Sequence, residues 1–466
     1  MSAARYSFAI PIIVGCAQFM HQFDGSVIAT ALPSMAQSLN EDPLRLNLAI
    51  SCYLLALAVF IPISGWMASR FGAKRVFSAA IVIFTISSVL CGISHSLPEL
   101  VIARTVQGMG GAMMTPVGRL IVVKTAPRAD LVKAINYITI PGALAPILGP
   151  AVGGFIVTYF SWPWIFFVNL PIGIAGVFLV QKFIPDVHDD EVPPLDLIGF
   201  LLAATALACL VSAFESMGRG LVPVPIVFAL LAGGAACALL YVFHFKRCAH
   251  PIIDLSLMRF PTFATSITGG SLFYMGTNAV VFLLAVLLQV GLGLSAFHAG
   301  LTTLAIAMGS LVSRFVIRPL FRRVSFRTIL VLNGCVTGAY LMTCGMFRVS
   351  TPFLLMIGVL FVGGLSRSIQ YTSLTTLSYA EIPKNLMSSA TSFSALIQQF
   401  AQSFGVGLTA LVVRYAMVQR DHATVAPVDL MPGFWTIGIA SLVSMFFFLR
   451  LHAQAGADMG GRGKEE

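Results

Sequence analysis

The sequence is poor in charge. Asp, Glu, Lys and Arg make up 10% of its 466 residues, against about 25% in soluble domains, and this excludes a soluble globular fold. It also lacks long polar stretches. No segment is large enough to fold as an ATP-binding domain, and no G-x-x-x-x-G-K-[ST] loop occurs, so energy for uphill transport has to come from an ion gradient. The eight cysteines are scattered, mostly within apolar runs, with no C-x-x-C spacing; they read as small packing residues rather than as zinc or redox motifs. No catalytic acidic motif accompanies a large loop, as a lipid-linked transferase would need, so the reading is not that of an enzyme. Nothing in the sequence asks for a cofactor or a metal. The one acidic cluster, His188-Asp189-Asp190-Glu191, lies between prolines and reads as a solvated connecting loop.

What fills the chain is apolar: 58% of residues are hydrophobic and the mean hydropathy is +0.91. At about 20 residues per membrane crossing, apolar segments lie near 8–32, 47–69, 76–94, 98–122, 132–158 and 163–183. Two further spans follow near 195–216 and 223–246, and six more near 263–290, 297–317, 328–347, 353–377, 386–416 and 432–452. The fold class is therefore an all-α membrane protein of fourteen spans, six plus two plus six. The expected organisation is a bundle at 1–185, an inserted pair at 186–247, a second bundle at 248–452 and a glycine-rich tail at 453–466. The first run, with Arg5 before it and Ala29-Thr30-Ala31 near its end, imitates a cleavable signal, but it is too long and contains Asp24.

The net charge of +10 does not indicate nucleic acid, because the basic residues sit between apolar runs instead of clustering on a polar face. With the N-terminus inside, nineteen Lys and Arg fall on the inner side and five on the outer. The positive-inside rule then puts both termini in the cytoplasm.

The most irregular stretch runs from Leu100 to Gly154, above all Pro141 to Gly154. Its prolines and glycines remove donors and side-chain contacts inside an apolar run, which a bilayer tolerates where neighbouring helices cover the loosened backbone. Gly142, Gly149 and Gly153 fall roughly along one side, and such a face admits another helix to backbone contact. The stretch is expected to act as a hinge or seal between moving parts.

Few charges remain inside the membrane. Asp24 lies roughly 12 Å below the outer end of the first span and Arg104 roughly 9 Å below the outer start of the fourth. A carboxylate and a guanidinium at one depth each cost several kcal/mol unless paired or hydrated, so the two are expected to face one another, and Asp24 could then carry a proton. A static ion bridge is the alternative. His21, three residues before Asp24 on the same helical face, and Gln107, just beyond Arg104, are candidate cavity residues. Arg367 with Gln370 and Tyr371, and Gln398 on the thirteenth span, form a second candidate polar face, with interhelical hydrogen bonding as the alternative.

These residues carry a resemblance. Leu100–Ala112, with Arg104, Gln107, Gly108, Gly110 and Gly111, resembles the R-x-x-Q-G-x-G motif in the fourth helix of the major facilitator superfamily. Gly149-Pro150-Ala151-Val152-Gly153-Gly154 resembles its antiporter motif G-P-x-x-G-G. Gly65–Arg75, with Arg70, Gly72, Lys74 and Arg75, is similar to the G-x-L-A-D-R-x-G-R-K loop, and Phe321–Arg327 to its second-half echo. Phe23–Pro33 resembles the first-helix motif L-D-x-T-I-V-N-x-A-L-P of fourteen-span drug/proton antiporters. The likeness spans nearly the whole chain and is nearest to QacA/EmrB-type and multidrug-resistance protein D-like exporters.

The resemblance implies two six-helix bundles around a central cavity, alternating access, and export of amphipathic small molecules from the bacterial cytoplasmic membrane in exchange for protons. Asp24 and Arg104 would form the coupling pair. Gly149, Pro150, Gly153 and Gly154 would seal the cavity, and Gly65, Arg70, Gly72, Lys74 and Arg75 would form a cytoplasmic clasp. The implied partners are a small-molecule substrate, protons and lipid, with either a periplasmic adaptor or none. Four positions depart from the pattern: Ser69 replaces the aspartate of the clasp, His21 stands where relatives tend to carry glutamine, and Ser26 and Thr30 replace threonine and asparagine. Arg367, if it faces the cavity, suits anionic or neutral compounds. A facilitator or proton symporter of a metabolite would share the fold and is the alternative function.

Overall fold

The protein is described by a computed structural model that covers residues 8–41, 43–186, 192, 194–219, 222–294, 296–422, 425–452, 454–456 and 459. The acidic cluster His188–Glu191 and most of the 453–466 tail lie outside the described residues. Within them every element is helical. In order these are α1 (Ala9–Leu39), α2 (Pro43–Phe60), α3 (Ser64–Phe71), α4 (Ala73–Gly92), α5 (Leu97–Thr125), α6 (Leu131–Tyr159), α7 (Trp164–Phe167) and α8 (Asn169–Phe183). They continue with α9 (Leu197–Arg219), α10 (Val224–Phe245), α11 (Pro261–Val286), α12 (Ala296–Arg323), α13 (Phe326–Gly345), α14 (Phe353–Leu377), α15 (Met387–Gln419) and α16 (Pro427–Phe448).

Among the described residues eleven helices are long and apolar enough to cross a membrane, or twelve when the bent pair α2 and α3 is counted as one span. The long helices α1 and α5 fall short of that test on composition, not length. Their polar residues include Gln18, His21, Gln22 and Asp24 on the first and Arg104, Gln107 and Arg119 on the second, and these lower the mean hydropathy of both. Together with them the count is compatible with fourteen spans. The expected single span over 47–69 is broken: the chain bends by 59° between Leu48–Phe60 and Ser64–Phe71. Pro62 lies in the break, where it can offer no backbone donor to a continuing helix. At the start of α5, Ser96 caps the helix by accepting from the Glu99 amide, and Pro98 and Glu99 occupy its first turn, a strong start signal.

The chain divides into two compact units. The first comprises residues 1–208, 236–255 and 383–396, the second 209–235, 256–382 and 397–466. In the first unit α1 packs most extensively on α6, and α5 lies against both α4 and α2. The second unit repeats the pattern: α14 lies against α12 and α13, while α16 packs on α13 and α11 as α8 packs on α4 and α1. Two similar sets of packed helices in chain order are what parallel internal repeats produce.

The core of the first unit is built on a four-residue repeat. Phe23, Val27, Ala31 and Met35 stack along α1 and meet Leu46 and Ala49 of α2, Leu100 and Ala103 of α5, and Ala145 and Ile156 of α6. The α1–α6 contact is close because α6 offers glycine. A Cβ on Gly149 would lie 2.8 Å from Ser26 Cβ and 3.2 Å from the Ser26 carbonyl carbon, and one on Gly153 would lie 2.6 Å from Val27 Cγ2. One on Gly142 would meet Gln18 at 3.0 Å. The three glycines thus lie on one face, and that face is turned to α1. α1 reciprocates with Gly15, where a Cβ would sit 2.7 Å from the Tyr137 carbonyl oxygen; Pro141, four residues on, has no amide to donate to that oxygen. Gly154 is different, since a Cβ there meets nothing within 4 Å. Gly149→Ala should therefore lower the thermal stability of the purified protein by about 1–3 kcal/mol, the usual cost of overpacking, while Gly154→Ala should leave the melting temperature within about a degree of the unmodified protein. Equal shifts for both variants would remove the close-packing account.

Candidate functional site

Three helices of the first unit bring polar groups to one buried point. Asp24 projects from α1, Arg104 and Gln107 from α5, and Asn169 from the first turn of α8; all four are 0% exposed. Arg104 Nη1 donates to Asp24 Oδ2 and to Gln107 Oε1, each at 2.5 Å. Gln107 Nε2 donates to Asp24 Oδ1 at 2.9 Å, and Asn169 Nδ2 donates to the same oxygen at 3.0 Å. Both amides also lie within hydrogen-bond distance of Ser88 Oγ on α4, at 2.6 and 3.1 Å. A single carboxylate thus accepts from three side chains on two other helices. That arrangement suits the ionised form, which is an acceptor at both oxygens.

The guanidinium is held from a second direction. Its central carbon lies 4.2 Å from the centre of the Tyr53 ring on α2 and 5.8 Å from that of Phe166 on α7, within cation–π range. Arg104 Nε and Nη2 have no hydrogen-bond partner among the described residues, nor has Asn169 Oδ1. The network therefore leaves donors free at zero exposure, and buried donors left free are costly.

The glycines that accompany Arg104 in sequence make this packing possible. A Cβ on Gly108 would lie 2.5 Å from the Tyr53 carbonyl oxygen, one on Gly110 would lie 2.9 Å from backbone atoms of Ala80 and Phe84, and one on Gly111 would lie 2.9 Å from His21 Nδ1. Each clears room for a different neighbour: α2, α4 and α1. The charges and the glycines of Arg104–Gly111 are therefore one structural device, an arginine buried by helices that can approach its own helix to backbone distance.

The structure brings Asp24, Arg104 and Gln107 together and leaves His21 beside them. His21 shares a 2.7 Å hydrogen bond with Tyr53 OH and is 6% exposed, so it touches the network through the tyrosine that stacks on Arg104. Tyr53, Ser88 and Asn169 are the participants that sequence reading missed. Asn169 had a signal: it is the one amide in the first three turns of an otherwise apolar segment, Trp164–Val180. Ser88 and Tyr53 had none, being ordinary residues of apolar helices.

The candidates of the second unit form a looser set. Gln370 is fully buried, accepts from Asn333 Nδ2 at 2.9 Å and reaches the Leu330 carbonyl at 3.4 Å. Gln398 Nε2 donates to Tyr371 OH at 2.9 Å, and the Tyr371 ring meets Tyr274 edge-on at 5.7 Å. Arg367 lies deep in α14 with Tyr340 and Tyr371 near it, yet it remains partly accessible. Among the described residues no hydrogen bond or ion pair reaches its guanidinium. The two units thus treat an intramembrane arginine in opposite ways.

The clasp residues also have definite places. Lys74 Nζ donates to the Gln181 carbonyl at 2.9 Å, tying α4 to the end of α8, while Arg70 and Arg75 are exposed. Gly65 admits the start of α15: a Cβ there would be 2.7 Å from the Ser388 carbonyl oxygen. Ser69 Oγ lies 2.7 Å from Ser388 Oγ, and Ser64 Oγ lies 2.9 Å from Ser392 Oγ. Where the sequence pattern has a carboxylate, this chain makes neutral hydroxyl pairs.

Comparison with known proteins agrees with this architecture. Residues 14–406 match the Major Facilitator Superfamily. A protein of Salmonella paratyphi A provisionally named multidrug resistance protein MdtD is 39% identical over 420 residues, covering 88% of this chain and 87% of its own; that of Salmonella typhimurium has the same identity and coverage. Among solved structures, the proton:xylose symporter XylE aligns with a TM-score of 0.69 at 14% identity, covering 98% of both chains. The human organic anion transporter MFSD10 aligns at 0.65 and 13%, covering 94% of this chain and 99% of its own. These last two show the fold alone. The chain is a multi-span membrane transporter, not an enzyme, and belongs to the Major Facilitator Superfamily.

Proposed function

We propose that the protein exports small amphipathic compounds across the bacterial cytoplasmic membrane in exchange for protons, with Asp24 as the proton-carrying group and Arg104 as its counter-ion. The observation that carries this reading is the single carboxylate, fully buried, on which donors from α5 and α8 converge. As a carboxylate it holds α1, α5 and α8 together. Protonated, it loses its charge and part of its acceptor capacity, so the bonds from Arg104, Gln107 and Asn169 weaken together and Arg104 loses its balancing charge. Proton arrival is thereby converted into a change in how three helices are held, which is what coupling requires.

The fold does not fix the direction of transport, because a proton:xylose symporter shares it. The G-P-x-x-G-G segment at 149–154 and the relatives named for multidrug resistance favour export over the alternative, a facilitator or symporter of a metabolite. In this reading the moving bundles are 1–185 and 248–452, with 186–247 inserted between them and both termini cytoplasmic. Gly149, Pro150 and Gly153 form the seal between α6 and α1. Gly65, with Ser69, Arg70, Gly72, Lys74 and Arg75, forms the cytoplasmic clasp. The protein works without a cofactor, as a monomer or with a periplasmic adaptor.

The site of Arg367 bears on substrate charge. A guanidinium in the membrane with no anionic partner among the described residues favours compounds that bring a negative charge or a strong acceptor to it. His21, Gln107, Gln370 and Gln398 complete the polar groups available to a substrate or to the coupling network.

Two experiments test the reading. In reconstituted vesicles offered a panel of lipophilic cations, anions and neutral compounds, a transported compound should drive proton movement that Asp24→Asn abolishes. Transport that persists without proton movement in both proteins would transfer the function to a facilitator. Since Asp24→Asn leaves Arg104 buried without a counter-charge, its stability should also fall by about 3–5 kcal/mol, readable as a lower melting temperature in detergent. Arg367→Ala should shift the transported panel away from anionic compounds by about tenfold while proton coupling survives; an unaltered panel would remove Arg367 from substrate selection.

A further inference from the structure

The inserted helices carry a cluster that transport does not use. Asp196 immediately precedes α9, and His244 stands at the last turn of α10 with Cys248 four residues beyond it. The potential ligand atoms of these three residues all lie within 4.8 Å of one another. His244 and Cys248 keep helical spacing, because the Cys248 amide still donates to the His244 carbonyl at 3.0 Å; residues four apart in a helix share a face.

The fold holds these groups in position. Asp196 Oδ1 accepts from the Gly199 amide at 2.8 Å, capping α9, and lies 2.8 Å from His244 Nε2. Asp196 Oδ2 accepts from the Ile252 amide at 3.3 Å. The segment after Cys248 is anchored in turn, since Tyr241 OH donates to the Ile253 carbonyl and accepts from the Ile253 amide, each at 2.8 Å. The Asp196 side chain is 4% exposed and that of His244 20%. The carboxylate is thus fixed and sheltered, while the imidazole keeps one side open to solvent.

We propose that Asp196, His244 and Cys248 form a binding site for a zinc-class divalent cation, which staples the start of α9 to the end of α10. Carboxylate, imidazole and thiolate are the donor types zinc takes, and three protein ligands with a fourth, water-filled position are a common zinc arrangement. The charges balance, because a carboxylate and a thiolate neutralise a dication. By the charge count of the loops, the site lies on the cytoplasmic side. The function is distinct from the Asp24 network and does not depend on the direction or substrate of transport.

The test uses the full-length protein, purified without a histidine tag under reducing conditions and titrated with Co2+ and then Zn2+. One equivalent of Co2+ should give the visible bands of tetrahedral cobalt together with a near-ultraviolet thiolate-to-cobalt band, and Zn2+ should bleach both and raise the melting temperature. Cys248→Ser should lose the thiolate band, and both Cys248→Ser and His244→Gln should weaken Zn2+ binding by at least the roughly tenfold that loss of a mere supporting bond costs at metal sites. His244→Gln keeps a hydrogen-bond donor for Asp196, so the helix pair stays folded, and gel filtration verifies this. A cobalt spectrum without the thiolate band in the unmodified protein, or a thermal shift that survives in Cys248→Ser, would overturn the proposal and leave an Asp–His hydrogen bond that only ties the two helices.

Discussion

A carboxylate and a guanidinium are buried together in a chain with few charges of either kind, and the first unit is arranged around the conditions they impose. Neither ion would be stable there alone. Their mutual attraction and hydrogen bonds have to offset a desolvation cost of several kcal/mol per ion. The structure meets this condition with Gln107, Asn169 and Ser88 on the carboxylate side and the Tyr53 and Phe166 rings on the guanidinium side. Because these partners come from α2, α4, α5, α7 and α8, the pair joins most of the unit through one point. Two guanidinium nitrogens remain without a hydrogen-bond partner among the described residues, so part of that cost is not offset by hydrogen bonds.

Such burial requires helices to come closer than ordinary side chains permit. Glycine supplies the distance on α5 at Gly108, Gly110 and Gly111 and on α6 at Gly149 and Gly153. In a membrane, where burial of apolar surface no longer drives helices together, the approach must be rewarded by van der Waals contact and interhelical hydrogen bonds. Ser26 Oγ on α1 illustrates the second, lying 3.2 Å from the Ala145 carbonyl of α6. The prolines of α6 fit the same setting: the carbonyl that Pro141 leaves without an amide lies against Gly15, where backbone approaches backbone. The serine pairs at Ser64 and Ser69 hold the start of α15 by neutral bonds, which are weaker than charge-assisted ones.

The two units share a packing order but not a charge pattern. The first pairs its buried arginine internally; the second leaves Arg367 beside aromatic rings and amides.

The all-helical membrane class and the pairing of Asp24 with Arg104 were legible in the sequence, because each follows from a one-dimensional quantity: length of apolar run, depth along a helix, scarcity of charge; the expected fourteen spans are compatible with the helices found. The shared face of Gly142, Gly149 and Gly153 was legible for the same reason, helical periodicity being fixed by geometry. Which helix that face meets was not, and the tertiary structure assigns it to α1. The structure also decided the bend of 59° after Phe60, the hydrogen bond that draws His21 to Tyr53, and the roles of Asn169, Ser88 and Tyr53 as partners of the ion pair. The cluster of Asp196, His244 and Cys248 was hidden from a reading that treated the cysteines as packing residues, since 47 positions separate its carboxylate from its imidazole. Sequence alone determined which residues could not face lipid; only tertiary packing decided what they face instead, because a polar side chain announces its need for a partner in its own chemistry, while the partner is chosen by which helices lie side by side.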